Sequence, residues 1–260
     1  MRSLVLFAAF AAPLCAQLPA PNEAGVSMGH VHLIVKDPEA QQKLWTDVIG
    51  AQASQAGALT LLKLPGIFIV VTKGDPMGGS NGSVLNHVGF LVKSYADIKA
   101  KLTAANIKLL VDSAQNKQII AEFPEQVRVE FNEDSSIGAP LTMHHMHLFV
   151  SDPEAERAWY VKTFGAVPGK RAQFEAADLP GINLTFSGSP TPTVPTQGRA
   201  LNSICFEVKG LLEFVAKLNA EGVRIEKPYA KLPNSSIAKA TITDPWGTTI
   251  ELTEGLASTP

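Results

Sequence analysis

All six histidines of this 260-residue chain fall in three short apolar runs: His30 and His32 in "HVHLIVK", His87 in "HVGFLVK", and His144, His145 and His147 in "HHMHLFV". Random placement would scatter them. Imidazole both moves protons near neutral pH and binds divalent transition metals, so the clustering points to one of those two chemistries. A single strand histidine is more simply a half-buried polar residue with its hydrogen bonds met; the repetition is what argues for more. In an extended run side chains alternate faces, so His30, His32 and Ile34 point one way while Val31, Leu33 and Val35 point the other.

The elements that carry these residues are repeated. "HVHLIVKDPEA" from His30 recurs as "HMHLFVSDPEA" from His145, "LPGI" at 64–67 recurs at 179–182, and "LNHVGFLV" from Leu85 matches "LNSICFEV" from Leu201. Within the first half, "HVHLIVK" and "HVGFLVK" echo each other at identical offsets. The repeating unit is about fifty residues long, and four units begin near Gly29, Asn86, His144 and Asn202. Each opens with a β-type run followed by a helix. Asp37-Pro38-Glu39 and Asp152-Pro153-Glu154 supply an N-cap, a first-turn proline and an acidic residue, all suited to a helix start. Ala40, Leu44 and Val48 would line one face of the first helix, and Ile98 with Leu102 and Phe214 with Leu218 the apolar faces of the second and fourth. Asn106 and Gly222 suit left-handed helix ends. After each helix the chain turns β-like, as in "LTLLKL", "IFIVV", "VRVEF", "KATIT" and "TTIEL". Gly/Pro/Ser-rich loops follow Lys73, Glu133 and Ser187, and the tail after Glu254 reads as frayed. Trp45, Trp159 and Tyr160 read as helix residues packing on a sheet, Trp246 as a turn residue, and Lys36 and Lys93 as solvated.

Composition narrows the class. Hydrophobic residues make up 45% and charged residues 18%, with a formal net charge of −2, enough apolar content for a real core and none of the basic patterning that nucleic-acid binding needs. Residues 1–16 combine Arg2, an apolar stretch from Leu4 to Ala12 and small residues near Ala16, the make-up of a secretory signal. The expectation is export to the periplasm or outside the cell, with no membrane association after signal removal. Once Cys15 leaves with the signal, Cys205 is the sole thiol and forms no intramolecular bridge; inside "SICFEV" it reads as a small buried hydrophobe.

This pattern resembles the vicinal oxygen chelate superfamily of glyoxalase I-like enzymes, bleomycin-resistance proteins, metal-dependent fosfomycin-resistance enzymes and extradiol dioxygenases. The resemblance covers nearly all of 29–254 and rests on the His-x-x-x-x-Val strand openings, the "DPEA" helix starts, "FGA" at 164–166, "DPWG" at 244–247 and the closing "IEL" at 250–252. It implies an α+β fold of four βαβββ modules forming two tandem domains with cupped mixed sheets, the first over 27–134 and the second over 142–255, with a divalent metal inside a cup. Paired pseudo-symmetric units present matched residues from opposite walls, so His30 and His87 would converge. Glu130, on the last strand of the second unit, stands where the family has its glutamate ligand. His30, His87 and Glu130 are the expected metal set, leaving positions open for water or a bidentate oxygen substrate. His32, along the same face, is the candidate catalytic residue, either touching substrate or steadying a ligand; His147 has the same claim more weakly.

The second half departs from the pattern. His145 and Glu251 match ligand positions, but Ser203 stands where His87 does, so this site reads as degenerate, with Asn183 a partial substitute at best. In the first half "IFIVV", around Phe68, supplies no fourth ligand, which speaks against an isomerase with paired glutamates. Zn, Mn, Fe, Ni or Co all suit the donors, and export favours air-stable Zn or Mn. The reading is therefore an exported metal-dependent enzyme acting on a small oxygen-chelating substrate, with dioxygenase, lyase or isomerase and addition chemistry all open. The alternative is a non-catalytic small-molecule sequestering protein of the bleomycin-resistance type. Oligomeric state is unreadable, because paired halves can close both cups within one chain.

Overall fold

The computed structural model describes residues 18–56 and 59–258, so the expected export signal at 1–16 lies outside the described residues. Four βαβββ units follow one another. The first comprises β1 (Val26–Val35), α1 (Pro38–Lys43), β2 (Gln52–Ala56), β3 (Leu59–Leu64) and β4 (Ile67–Lys73). The second is β5 (Leu85–Val92), α2 (Tyr95–Ala104), β6 (Lys108–Ser113), β7 (Gln118–Phe123) and β8 (Val127–Glu133). The third is β9 (Leu141–Val150), α3 (Pro153–Phe164), β10 (Val167–Arg171), β11 (Phe174–Leu179) and β12 (Ile182–Gly188). The fourth is β13 (Leu201–Val208), α4 (Leu211–Ala220), β14 (Ile225–Lys231), β15 (Ala238–Thr243) and β16 (Thr249–Glu254).

Local signals act as expected. The Asp37 and Asp152 side chains accept hydrogen bonds from Ala40 N and Ala155 N, each at 3.0 Å, with proline in the first turn. Asn106 and Gly222 adopt positive φ, 56° and 81°, after their helices. One expectation fails: Ala40 is exposed, and the buried side chains are Gln41, Leu44, Trp45 and Ile49. The cause is that α1 continues as a π-helical stretch at Leu44–Ile49, whose wider turn rotates the buried face. The tail is also packed, with Leu256 1% exposed and Glu207 Oε1 accepting from the backbone N of Gly255 and Ala257.

Pairing of the units sets the architecture. Two eight-stranded mixed sheets form, in the orders β14-β15-β16-β13-β1-β4-β3-β2 and β10-β11-β12-β9-β5-β8-β7-β6. Unit one pairs with unit four through antiparallel β1–β13, and unit two with unit three through antiparallel β5–β9. The expected halves 27–134 and 142–255 thus do not each own a sheet; both sheets draw on both halves. Linker length accounts for this. The linker 134–140 joins β8 to β9, which flank β5 in one sheet, and so passes over two strand spacings, about 10 Å. The longer Gly/Pro-rich connectors 74–84 and 189–200 carry the chain from sheet to sheet. They run side by side, Val84 N donating to Val194 O and Val194 N to Gly82 O, both at 3.0 Å.

Alternation on the central strands separates two environments. Val31, Leu33 and Val35 of β1 and Met146, Leu148 and Val150 of β9 join a continuous core, while the alternate residues, including His30, His32, His145 and His147, face the other side. Trp45 and Tyr160, both fully buried, anchor that core; truncating either to alanine costs about 3–5 kcal/mol. Also buried, on α3, is the Glu156 carboxyl, neither oxygen of which has a hydrogen-bond donor. It faces Asp244, whose Oδ2 accepts from Tyr160 Oη at 3.1 Å and whose Oδ1 accepts from Trp246 N and Thr248 N. Burial pushes both carboxyls up, and the Asp244 charge pushes Glu156 further. A carboxyl raised on folding contributes stability that is complete below its unfolded value and lost as pH rises through the folded one. The buried histidines, whose burial lowers them, contribute the opposite slope, so the Glu156 part is read as a difference: the urea midpoint of wild type minus that of Glu156→Gln should fall between pH 5 and pH 8, and a difference independent of pH would show that Glu156 does not hold the proton.

Candidate metal centre

The middle of the second sheet brings two imidazoles and a carboxylate together. Antiparallel β5 and β9 set Gly89 opposite His145, and parallel β5 and β8 set Gly89 beside Glu130. The His87, His145 and Glu130 side chains all reach the concave face. His87 Nε2 is 2.8 Å from Glu130 Oε2, His145 Nε2 is 3.6 Å from the same oxygen, and the two Nε2 atoms are 3.4 Å apart. Ligand atoms each about 2.1 Å from a common ion stand about 3.0–3.4 Å from one another. The three residues are at most 4% exposed.

Their neighbours hold these atoms inward. Asn86 Oδ1 lies 2.9 Å from His87 Nδ1; accepting from that N–H leaves the Nε2 lone pair facing the cup. His145 Nδ1 is likewise occupied, 3.1 Å from His144 Nδ1. Gln118 Nε2 and Asn132 Nδ2 donate to Glu130 Oε1 at 2.9 and 2.6 Å, so Oε2 alone is left for the imidazoles. Burial works to raise the Glu130 carboxyl, but hydrogen bonds from His145 and His87 outweigh it and hold the group well below the usual range. Burial lowers His145 to about 3. An ionised carboxylate beside a neutral imidazole is the protonation state a divalent ion needs, and the residues fit such an ion.

Around the three donors stand His147, Arg171 and two aromatic rings. The ligand atom of His147 lies within 4.8 Å of those of His87 and His145, but its Nε2 is 2.6 Å from Ser187 Oγ, and the Glu130 oxygen approaches more closely and carries charge. Charge and its 2.8 and 3.6 Å approaches to the two imidazoles make Glu130 the candidate third donor, with His147 beside it, its ring centroid 4.7 and 5.1 Å from those of Phe149 and Phe174. Arg171 Nη2 is 4.0 Å from Glu130 Oε1. Thr185 takes the place in unit three that Glu130 has in unit two, so the centre has a single carboxylate.

The first sheet carries the matched positions with different chemistry. His30 Nε2 lies 3.3 Å from Glu251 Oε2, His32 Nδ1 2.7 Å from Glu251 Oε1, and His32 Nε2 2.9 Å from Thr72 Oγ1. Lys239 Nζ is 2.6 Å from Glu251 Oε2. Apolar side chains, Leu61, Phe68, Val70 and Ile237 with Leu18 and Leu256 from the chain ends, fill the rest of this concave face. An ammonium already neutralises the carboxylate, so these residues do not fit a divalent ion as they stand.

The set expected from sequence is thus divided. His87 and Glu130 meet; His30 lies in the other sheet with Glu251, and its place is taken by His145, because unit two pairs with unit three. His32 is correspondingly away from the centre, occupied by Glu251 and Thr72. Asn183 donates to Asp178 and accepts from Thr185 and substitutes for no ligand of the first sheet. The sequence signal for the right pairing was present in the linker lengths, and in unit three having histidine where unit four has Ser203. Gln118, Asn132 and Arg171 carried no signal. A cleft of about 500 Å³ elsewhere, lined by Trp159, Lys162, Arg224 and Asp244 among others, has no converging imidazoles, and donor chemistry places the site in the cup.

Gly89 is what admits the His145 ring. A Cβ there would lie 2.0–2.6 Å from three imidazole ring atoms. Gly89→Ala should therefore fold, since the strand backbone tolerates alanine, yet bind metal at least tenfold more weakly by calorimetric titration; native affinity in the variant would remove His145 from the ligand set.

Comparison with known proteins agrees with this fold. Residues 142–252 match the family described as Glyoxalase/Bleomycin resistance protein/Dioxygenase superfamily. No curated protein matches by sequence. Among solved structures, glyoxalase I from Zea mays superposes with a TM-score of 0.70 at 15% identity, covering 90% of this chain and 94% of that one. A putative dioxygenase from Bacillus subtilis gives 0.66 at 12% identity, covering 92% and 86%. These likenesses are of fold, two eight-stranded mixed sheets of α+β type with few helices. Residues 142–252 thus match the glyoxalase, bleomycin-resistance and dioxygenase superfamily in sequence, and nearly the whole chain shares the fold of glyoxalase I.

Proposed function

We propose that the protein is an exported metal-dependent enzyme in which His87, His145 and Glu130 hold a divalent ion and a small substrate binds through two neighbouring oxygens. The observation that carries this reading is the convergence of two Nε2 atoms and one carboxylate oxygen within 3.6 Å of one another, each fixed from behind. When bound, the ion would supply Lewis acidity toward developing oxygen charge. The chain's own groups do the rest. Gln118 and Asn132 keep Glu130 Oε1 turned away, Asn86 sets the His87 tautomer, and Phe149 and Phe174 exclude water beside the reacting oxygens. Arg171, with no hydrogen bond to Glu130 at 4.0 Å, is placed to attract an oxygen-rich, anionic substrate. His147 Nε2 is held by Ser187 Oγ at 2.6 Å, and in the tautomer that donates from Nε2 its Nδ1 would take a substrate proton. Export rests on the composition of residues 1–16, and the donor set admits Zn, Mn, Fe, Ni or Co.

Elemental analysis of protein isolated from its native compartment tests the reading. The wild-type chain should retain a stoichiometric divalent metal and His87→Ala should lose it with the fold intact; an unchanged metal content in the variant would end the proposal. His147→Gln should keep the metal while turnover falls about 10²–10⁴-fold. If chelated protein binds its small molecule with undiminished affinity, the protein sequesters its ligand and does not transform it.

A further inference from the structure

The first sheet holds a second cluster of donors that the proposed reaction does not use. The ligand atoms of His30, Cys205 and Glu251 lie within 4.8 Å of one another and all three residues are buried. His30 Nδ1 has no hydrogen-bond partner. Cys205, fully buried, makes long contacts with Ser203, at 3.5 Å to Oγ and 3.9 Å to O.

Register relates this cluster to the centre in the second sheet. His30 pairs with Cys205 across β1–β13 as His145 pairs with Gly89 across β9–β5, and Glu251 lies beside Cys205 as Glu130 lies beside Gly89. The donor count is therefore conserved in another form: the imidazole of His87 is replaced by Ser203, and the bare Gly89 by a thiol. The decisive exchange lies one strand further out. Gln118 pairs with Asn132 on β7–β8 as Lys239 pairs with Thr253 on β15–β16, so Gln118 and Lys239 occupy matched positions. Gln118 is neutral and takes the oxygen pointing away from the imidazoles, Oε1. Lys239 is a cation and takes Oε2, the oxygen that also faces His30.

We propose that the concave face of the first sheet is a second, latent site for a borderline divalent metal such as zinc or cobalt, with His30, Cys205 and Glu251 as ligands, and that the Lys239 ammonium holds it shut by occupying the cation's place. Imidazole nitrogen, thiolate and carboxylate form a donor set suited to tetrahedral zinc, with the fourth position open to water. Binding releases the Cys205 thiol proton and displaces Lys239, whose side chain is 28% exposed and reaches solvent on its flexible stem. While the ammonium is in place, a divalent ion would meet a positive charge at the oxygen it needs. The inference stands apart from the proposed reaction, because it concerns the other sheet and is read as a difference in metal content.

The test uses the full chain loaded with cobalt(II) and freed of excess metal, with ions per folded chain counted by elemental analysis and thiolate coordination read from the near-ultraviolet thiolate-to-cobalt band. Wild type should show no such band. Lys239→Gln, which copies the second sheet's residue, should gain one ion per chain and the band, and adding Cys205→Ser should abolish the band. A thiolate band in wild type, or a folded Lys239→Gln chain that gains no ion, would overturn the proposal. Should Lys239→Gln not fold, Lys239→Met, which keeps the stem and removes the charge, decides: the folded chain should gain one ion and the thiolate band, and a folded chain without them would overturn the proposal.

Discussion

The antiparallel seam between β5 and β9 is the constraint on which the site depends. It is a backbone pairing, yet it decides which imidazoles meet. With Gly89 opposite His145 and next to Glu130, donors from three adjacent strands point into one space, and no loop takes part in placing them. Strand-borne donors are held to the precision of a hydrogen-bonded ladder, which is what a small, fully ligated ion requires. The same seam leaves the opposite face apolar, so one alternation both builds the core and aims the ligands.

Burying two imidazoles and a carboxylate is costly unless each polar atom is matched. In the second sheet the matching is nearly complete and comes from neutral amides, Asn86, Gln118 and Asn132, which orient without adding charge. The centre is thereby left one negative charge and two lone pairs, a complement for a cation. In the first sheet the same scaffold is matched internally: Glu251 is shared among His30, His32 and Lys239, and although burial works to raise it, the hydrogen bonds from the two histidines hold it well below the usual range. Its concave side is then closed by apolar side chains and by both ends of the described chain. One fold thus supports two opposite electrostatic solutions, a difference made by a handful of side chains at matched register positions.

The two long connectors explain how the chain reaches both solutions. A unit that opens and closes with parallel strands, as β1 with β4, leaves an edge of its first strand free to pair with a partner unit. Short linkers favour the neighbour in sequence and long ones release that restriction. The segments 74–84 and 189–200, bound to each other by backbone hydrogen bonds, fix the crossover between sheets.

Much was legible from residues alone. The four-fold repeat, the strand–helix–strand order, the helix caps at Asp37 and Asp152, the left-handed ends at Asn106 and Gly222 and the inward alternation of histidines are local properties, set by periodicity and backbone preference within a few residues. The nearness of Glu130 to His87 was expected from the family resemblance, which places a glutamate on the last strand of the same unit. The choice of the second imidazole was not, since His30 and His145 carry the same local pattern and only the pairing of units distinguishes them. Nor were the roles of Gln118 and Lys239, ordinary polar strand residues in the sequence, whose importance comes from which carboxylate oxygen each one meets. Period and propensity operate along the chain, whereas ligand sets and charge balance depend on which strands become neighbours, and that is a property of the whole molecule.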